Sequence, residues 1–183
     1  MILYKNVDIC NLNSIIKNGI LSMDECHNNN WEEGKRADND TSVVYLFKPS
    51  GKCNSFPEYG TVLLEVDCDA TENQMSGNDM HKNKYTEYVI GRVKPDEIRK
   101  VIIPTIFKDY IDVPDGIDVV WCDLKADFYG NAGYEMCSND LLEAFAKTAK
   151  LTDSSDFNFF RGTNEDRTMI DLYNVQYIFE GIQ

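Results

Sequence analysis

The chain has 183 residues, 43% of them hydrophobic, which is enough for one well-formed core and short for two independent domains. Its 31 acidic residues outnumber 18 basic ones, and the formal charge of −13 removes the usual drive toward phosphate backbones and disfavours nucleic acid as a direct partner. Six scattered cysteines with no CxxC pair, and only His27 and His81 as imidazole donors, argue against a disulfide framework and against a metal centre.

Residues 1–5 read as a short strand, followed by a helix in which Leu12, Ile15 and Ile16 share a face, with Asn11 as its cap and Gly19 as its end. Ile20 and Leu21 return the chain to the core. Residues 22–40 are rich in Asn, Asp, Glu and Gly, with Trp31 as the one large apolar side chain, the composition of a long loop. Residues 43–47 form a continuous apolar run of branched and aromatic side chains, expected for a strand buried on both faces. Residues 48–60 contain Pro49, Gly51, Pro57 and Gly60 and read as irregular. Then Val62, Leu64 and Val66 alternate with Leu63, Glu65 and Asp67 as in a half-buried strand.

A polar connection over 68–86 leads to a strand at 88–93 with Glu87 at its opening. Pro95-Asp96-Glu97-Ile98 follows as one helical turn, and extended structure resumes at 101–103. Beyond Pro104 the pattern is less regular. It reads as a strand over 119–124, a helix over 139–151 capped by Ser138 or Asn139, a polar loop over 152–168 and a last strand over 175–179. These elements predict an α+β fold: a core over 1–110, with 111–183 extending the same domain and available for target recognition. No run approaches the roughly 18 apolar residues of a membrane-spanning helix, and reduced thiols suit a cytoplasmic protein, monomeric or weakly oligomeric.

Three residues stand out by setting: Lys5 in the first strand, Tyr45 in the middle of the second and Glu87 ahead of Tyr88. Each has a plain structural reading. Tyr45 inside an apolar run is a core aromatic whose hydroxyl bonds to backbone, Lys5 a strand-end cation with its stem along the surface, and Glu87 a solvated acid.

In order, however, the segments resemble the ADP-ribosyltransferase superfamily, including its small bacterial and phage members of the DarT-like or anti-CRISPR kind. Leu3-Tyr4-Lys5 with Asn11-Leu12-Asn13-Ser14-Ile15-Ile16-Lys17-Asn18-Gly19 is similar to the family's first strand and helix. Val44-Tyr45-Leu46 is similar to the strand carrying the nicotinamide-stacking tyrosine, Tyr59-Gly60-Thr61-Val62-Leu63-Leu64-Glu65 to the next core strand, and Thr86-Glu87-Tyr88-Val89-Ile90 to the strand of the catalytic glutamate. The likeness covers residues 1–104. It implies a split, mostly antiparallel sheet with NAD as co-substrate, and transfer of ADP-ribose to a macromolecular acceptor, a protein; the charge of −13 suggests an acceptor with a basic surface, such as a nucleic-acid-binding complex. Within it, Glu87, Tyr45 and Lys5 are the catalytic residues, and Tyr4, Lys5, Asn6, Tyr45 and Arg36, with Lys35, bind the dinucleotide. Lys5 stands where branches of the family carry His or Arg. Tyr85 occupies the acceptor-engaging position often held by Glu or Gln. Two other activities remain open: an acidic inhibitor that binds a basic protein surface without catalysis, and an NAD glycohydrolase.

Overall fold

Strands make up most of the described residues, several of them marked by alternation of apolar and polar side chains. The structure, a computed structural model, describes residues 1–7, 9–27, 40–49, 62–71, 85–109, 113, 115–122 and 144. Of Cys10, Tyr85, Ile106 and residues 53–54, 126–130, 133–137, 150–153, 160–163, 169–171 and 177–178 it gives the backbone. In chain order the elements are β1 (Ile2–Val7), α1 (Leu12–Asn18), α2 (Met23–Cys26), β2 (Val44–Pro49), β3 (Cys53–Asn54), β4 (Val62–Asp67), β5 (Tyr85–Ile90), β6 (Ile98–Pro104), β7 (Asp118–Cys122), β8 (Ala126–Gly130), β9 (Gly133–Cys137), β10 (Lys150–Asp153), β11 (Phe160–Thr163), β12 (Met169–Asp171) and β13 (Tyr177–Ile178). The fold is α+β, with a six-stranded sheet in the order β5-β2-β1-β4-β6-β7. All its pairings are antiparallel except β6 with β7.

Period-two patterning separates the two sides of this sheet. Leu3, Val44, Leu46, Val62, Leu64, Val66, Tyr88, Ile90, Val101 and Ile103 fall on one face and are all buried. Burying each aliphatic side chain of this set contributes about 1.5–3 kcal/mol. The opposite face is mixed: Tyr4, Asn6, Phe47 and Leu63 are buried there too, whereas Tyr45, Glu65, Glu87 and Lys100 are half-buried.

The β1/β2 junction differs from its neighbours. β1 meets β4 over six register pairs and β2 meets β5 over six, but β1 meets β2 at the one pair Tyr4↔Phe47. A seam therefore runs between a two-strand piece, β5-β2, and a four-strand piece, β1-β4-β6-β7.

Leu12 of α1 is buried, and Ile15 and Ile16 pack against the core, as their spacing predicts. Gly19 ends the helix at φ 80 with its N–H on the Ile15 carbonyl at 2.7 Å. Asn11 makes no side-chain cap. A 3-10 turn at Ile9–Asn11 runs straight into the helix, so Asn11 has helical dihedrals (φ −94, ψ −8) instead of the extended ones that aim a cap at the first N–H groups. The expected loop over 22–40 begins with α2, because Ser22 and Glu25 form a reciprocal capping box. Residues 28–39, with Trp31, and 72–84, with His81, lie outside the described residues. Tyr85 and Thr86, read as connection, already belong to β5, so Glu87 is its third residue.

The C-terminal part departs furthest from expectation. A five-stranded antiparallel sheet, β10-β11-β12-β8-β9, occupies 126–171, and β13 pairs with β3. Lys150 and Leu151 are in a strand, where a helix was expected, and Phe160–Thr163 interrupts the expected loop. Most of the expected helix, 138–143 and 145–149, lies outside the described residues, as do 175, 176 and 179 of the last strand. Short strands carrying Gly, Asp and Lys have little pattern of their own, and their pairing is set by neighbours distant in sequence.

Candidate active site

Cross-strand partners in an antiparallel pair project from the same face, and so do residues two apart along a strand. Glu87 lies opposite Phe47, Phe47 opposite Tyr4, Tyr4 opposite Glu65, and Glu65 opposite Lys100, giving a row across five strands. Tyr45, two residues from Phe47 and paired with Val89, is the diagonal neighbour of Glu87 on that face. Such neighbours stand about 7–8 Å apart, within reach of one ligand. Asn6, 5% exposed with its Oδ1 buried, is on the face by the alternation of β1.

Lys5 is not on it. It pairs with Leu64 and sits between the buried Leu3 and Val7, so its stem leaves from the core face. Its ammonium donates to the main-chain oxygen of Tyr45 at 3.0 Å. Tyr45 and Glu87 thus share a face, with Tyr4 and Asn6 as the residues β1 contributes to it, while Lys5 reaches the seam from the other side. Arg36 and Lys35 lie outside the described residues, and of Tyr85 only the backbone is described, at the start of β5.

Glu87 brings a carboxylate to the face. Its Oε1 is buried and has no hydrogen-bond partner among the described residues. A carboxylate oxygen removed from water without a donor costs about 1–3 kcal/mol or more, a cost that a bound hydroxyl or amide would remove.

Tyr45 is half-buried, and its hydroxyl accepts the backbone N–H of Asp40 at 2.8 Å. That bond matches the plain reading of Tyr45 and also tethers the hydroxyl end of the ring. The Asp40 carboxylate in turn accepts from the Ser42 hydroxyl at 2.6 Å and the Ser42 N–H at 2.9 Å, bonds that hold its pKa below the ordinary value. Asp24 N–H donates to the Thr41 carbonyl at 3.1 Å, so α2 is tied to the same turn.

Across the seam, Tyr4 is 8% exposed and lies against Phe47 with ring centroids 6.1 Å apart. Its hydroxyl donates to Glu65 Oε2 at 3.4 Å, which also faces the Lys100 ammonium at 3.6 Å. Burial, and after it the charge of Glu65, pushes the Tyr4 phenol up to about 12. Tyr4 is therefore a hydrogen-bond donor at neutral pH and a poor general base. Glu65 and Asp40 were not singled out from the sequence. The alternation of residues 62–67 places Glu65 off the core face and was the available signal, whereas nothing local to Asp40 shows that Tyr45 would reach it.

The face holds a carboxylate with one oxygen that has no partner among the described residues, an aromatic ring tethered at its hydroxyl and polar groups on the neighbouring strand, which suits stabilisation of a developing cation beside a flat leaving group. Among the described residues, no group of three or more His, Cys, Asp or Glu is placed to hold a metal ion, and no helix is long and apolar enough to cross a membrane. No protein family, no characterised protein and no solved structure matches this chain, so a functional reading rests on the geometry of this face and on the order of its strands.

Proposed function

We propose that the protein transfers ADP-ribose from NAD to a macromolecular acceptor, a protein with a basic surface. The observation carrying the proposal is the buried Oε1 of Glu87, which has no hydrogen-bond partner among the described residues, on the same face as Tyr45. Two further observations support it. β5, β2 and β1 are adjacent in space although far apart in sequence, and β1 and β2 share a single register pair, a short junction compatible with the split sheet of this reading.

In this reading Tyr45 stacks on the nicotinamide, and Tyr4 and Asn6 orient ribose or phosphate. Glu87 accepts a hydrogen bond from a ribose hydroxyl and faces the anomeric carbon. The bond between that carbon and the nicotinamide nitrogen breaks, and its electron pair leaves with nicotinamide, which departs neutral. Positive charge grows on the sugar, where the carboxylate stabilises it in a site with little water. A lone pair of the acceptor then forms the new bond to the anomeric carbon, and the acceptor's proton passes to Glu87 or to solvent.

Incubation of the protein with labelled NAD in a cell lysate tests the proposal, native chain against Glu87→Gln. The expected result is label on a protein band, reduced about 10²–10³-fold in the variant, the scale for loss of one electrostatic stabiliser. Full NAD turnover and full labelling by a folded Glu87→Gln protein would refute it. Free ADP-ribose with no labelled band would mean water is the acceptor. Tight capture of a basic protein with no mass increment on it would instead favour an acidic inhibitor, to which the charge of −13 is also suited.

A further inference from the structure

We infer that Lys5 is a positioning residue that bolts the two sheet pieces together beneath the candidate site, rather than a group that touches the dinucleotide. The inference rests on the proposed function only for its catalytic consequence. Its structural content stands on the seam.

β1 and β2 share the single register pair Tyr4↔Phe47, against six pairs on the outer side of each strand. A ladder that short supplies few of the main-chain hydrogen bonds that hold strands side by side, so the junction relies on side chains, among them the Tyr4–Phe47 ring contact and the shared core. One residue beyond the pair on β1, Lys5 extends its ammonium to the main-chain oxygen of Tyr45, two residues before the pair on β2, at 3.0 Å. A charged donor on a carbonyl makes a stronger bond than a neutral one. It is also a link from one piece to the other that the ladder does not supply.

The placement of the stem points the same way. Lys5 leaves β1 on the core face, flanked by Leu3 and Val7 and paired with Leu64, of which Leu3 and Leu64 are 0% exposed. The candidate face, with Glu87 and the Tyr45 ring, is on the other side of the sheet. A ligand lying on that face meets the ring and the carboxylate, while the ammonium is engaged from behind on the main chain of the same tyrosine. Tyr45 is then held at two points. Lys5 holds its carbonyl from the four-strand piece, and the Asp40 N–H holds its hydroxyl at 2.8 Å. Glu87 moves with Tyr45, because β5 and β2 are paired along their whole length. The distance from Tyr45 and Glu87 to the β1 residues Tyr4 and Asn6 is therefore set across the seam, where Lys5 acts.

Lys5→Met keeps the stem and removes the donor, and Lys5→Arg restores a cationic donor. Amide hydrogen exchange reads the bolt directly. In Lys5→Met, the amides of β2 and β5 should exchange about tenfold faster, while those at the β4/β6 ladder keep native protection. Lys5→Arg should return β2 and β5 toward native rates. Steady-state NAD turnover reads the consequence. Lys5→Met should lower kcat about tenfold with KM for NAD within about twofold, equivalent to about 1.4 kcal/mol of transition-state stabilisation lost through misplacement. A phosphate or ribose contact would instead raise KM and spare kcat.

Native exchange at β2 and β5 in a folded Lys5→Met protein would overturn the bolt, and so would a rise in KM at constant kcat. A native protein that turns over no NAD would overturn the proposed function alone, since the exchange result would still decide for or against Lys5 as the link across the seam.

Discussion

Glu87 keeps a carboxylate oxygen away from water with no donor facing it among the described residues, a state that weakens the fold wherever nothing is bound. Replacing it by Met, close in length and without a hydrogen-bonding oxygen, should raise the free energy of unfolding by about 1 kcal/mol, read from the midpoint of urea denaturation at constant slope. The same variant should lose NAD turnover, the trade of stability for function expected of a site group. A lower midpoint would mean that the carboxylate is satisfied in the free protein and would remove the main support for an active site here. Tyr4 offers a separate check. Its phenol, raised from 10.0 to about 12, holds its proton more tightly folded than unfolded. Its contribution to stability is thus complete below pH 10 and is lost as pH rises toward 12. Ultraviolet titration should show one tyrosine ionising last, near 12, and absent from Tyr4→Phe; unchanged titration curves would contradict the Tyr4–Glu65 arrangement.

At the scale of elements, the turn after α1 is tightly constrained by its approach to the chain near Val93. Ile20 and Val93 exchange backbone hydrogen bonds of 2.9 Å in each direction, which brings the Gly19 backbone against the chain near Val93. A Cβ on Gly19 would fall on the Val93 carbonyl oxygen, at a φ of 80 that side chains rarely adopt. Gly19→Ala should therefore destabilise by about 2–4 kcal/mol, enough to lower the melting temperature by several degrees, whereas Gly91→Ala, with open space around its Cβ, should cost far less. Equal melting temperatures for the two variants would refute this packing. Gly19 was legible as a helix end because helix period and glycine coincide there, and β1, β2, β4 and β6 were legible because their apolar residues follow a two-residue period or an unbroken run. Three things were not. The side of β1 from which Lys5 projects depends on register, fixed by pairing with β4 and not by any residue near Lys5. The seam is a property of two strands far apart in sequence, and the bond that crosses it joins residues 40 positions apart. The capping box of Ser22 and Glu25 was readable as Ser-x-x-Glu but was obscured by the polar composition around it.

The molecule as a whole carries −13, and its field acts in opposite directions on the two substrates proposed for it. NAD is a net anion at neutral pH because its pyrophosphate outweighs the nicotinamide cation, so the field opposes its entry. A protein with a basic surface is drawn in. The reach of that field is the Debye length, about 30 Å at 0.01 M salt and about 8 Å at 0.15 M, so most of it disappears across an accessible range of ionic strength. Raising salt over that range should lower KM for NAD, by roughly two- to fivefold if the site feels a potential of the order of kT. The same change should slow association with a basic acceptor by about tenfold or more, since steering accounts for several decades of on-rate. Stopped-flow association and steady-state NAD turnover, taken on the same samples, separate the two effects. An association rate flat in salt would refute a basic acceptor surface, and a KM that rises with salt would mean that NAD meets a locally cationic entrance despite the overall charge. Opposite slopes would locate both substrates with respect to a single acidic field, an outcome that neither an inhibitor without NAD turnover nor a glycohydrolase without a protein acceptor would produce.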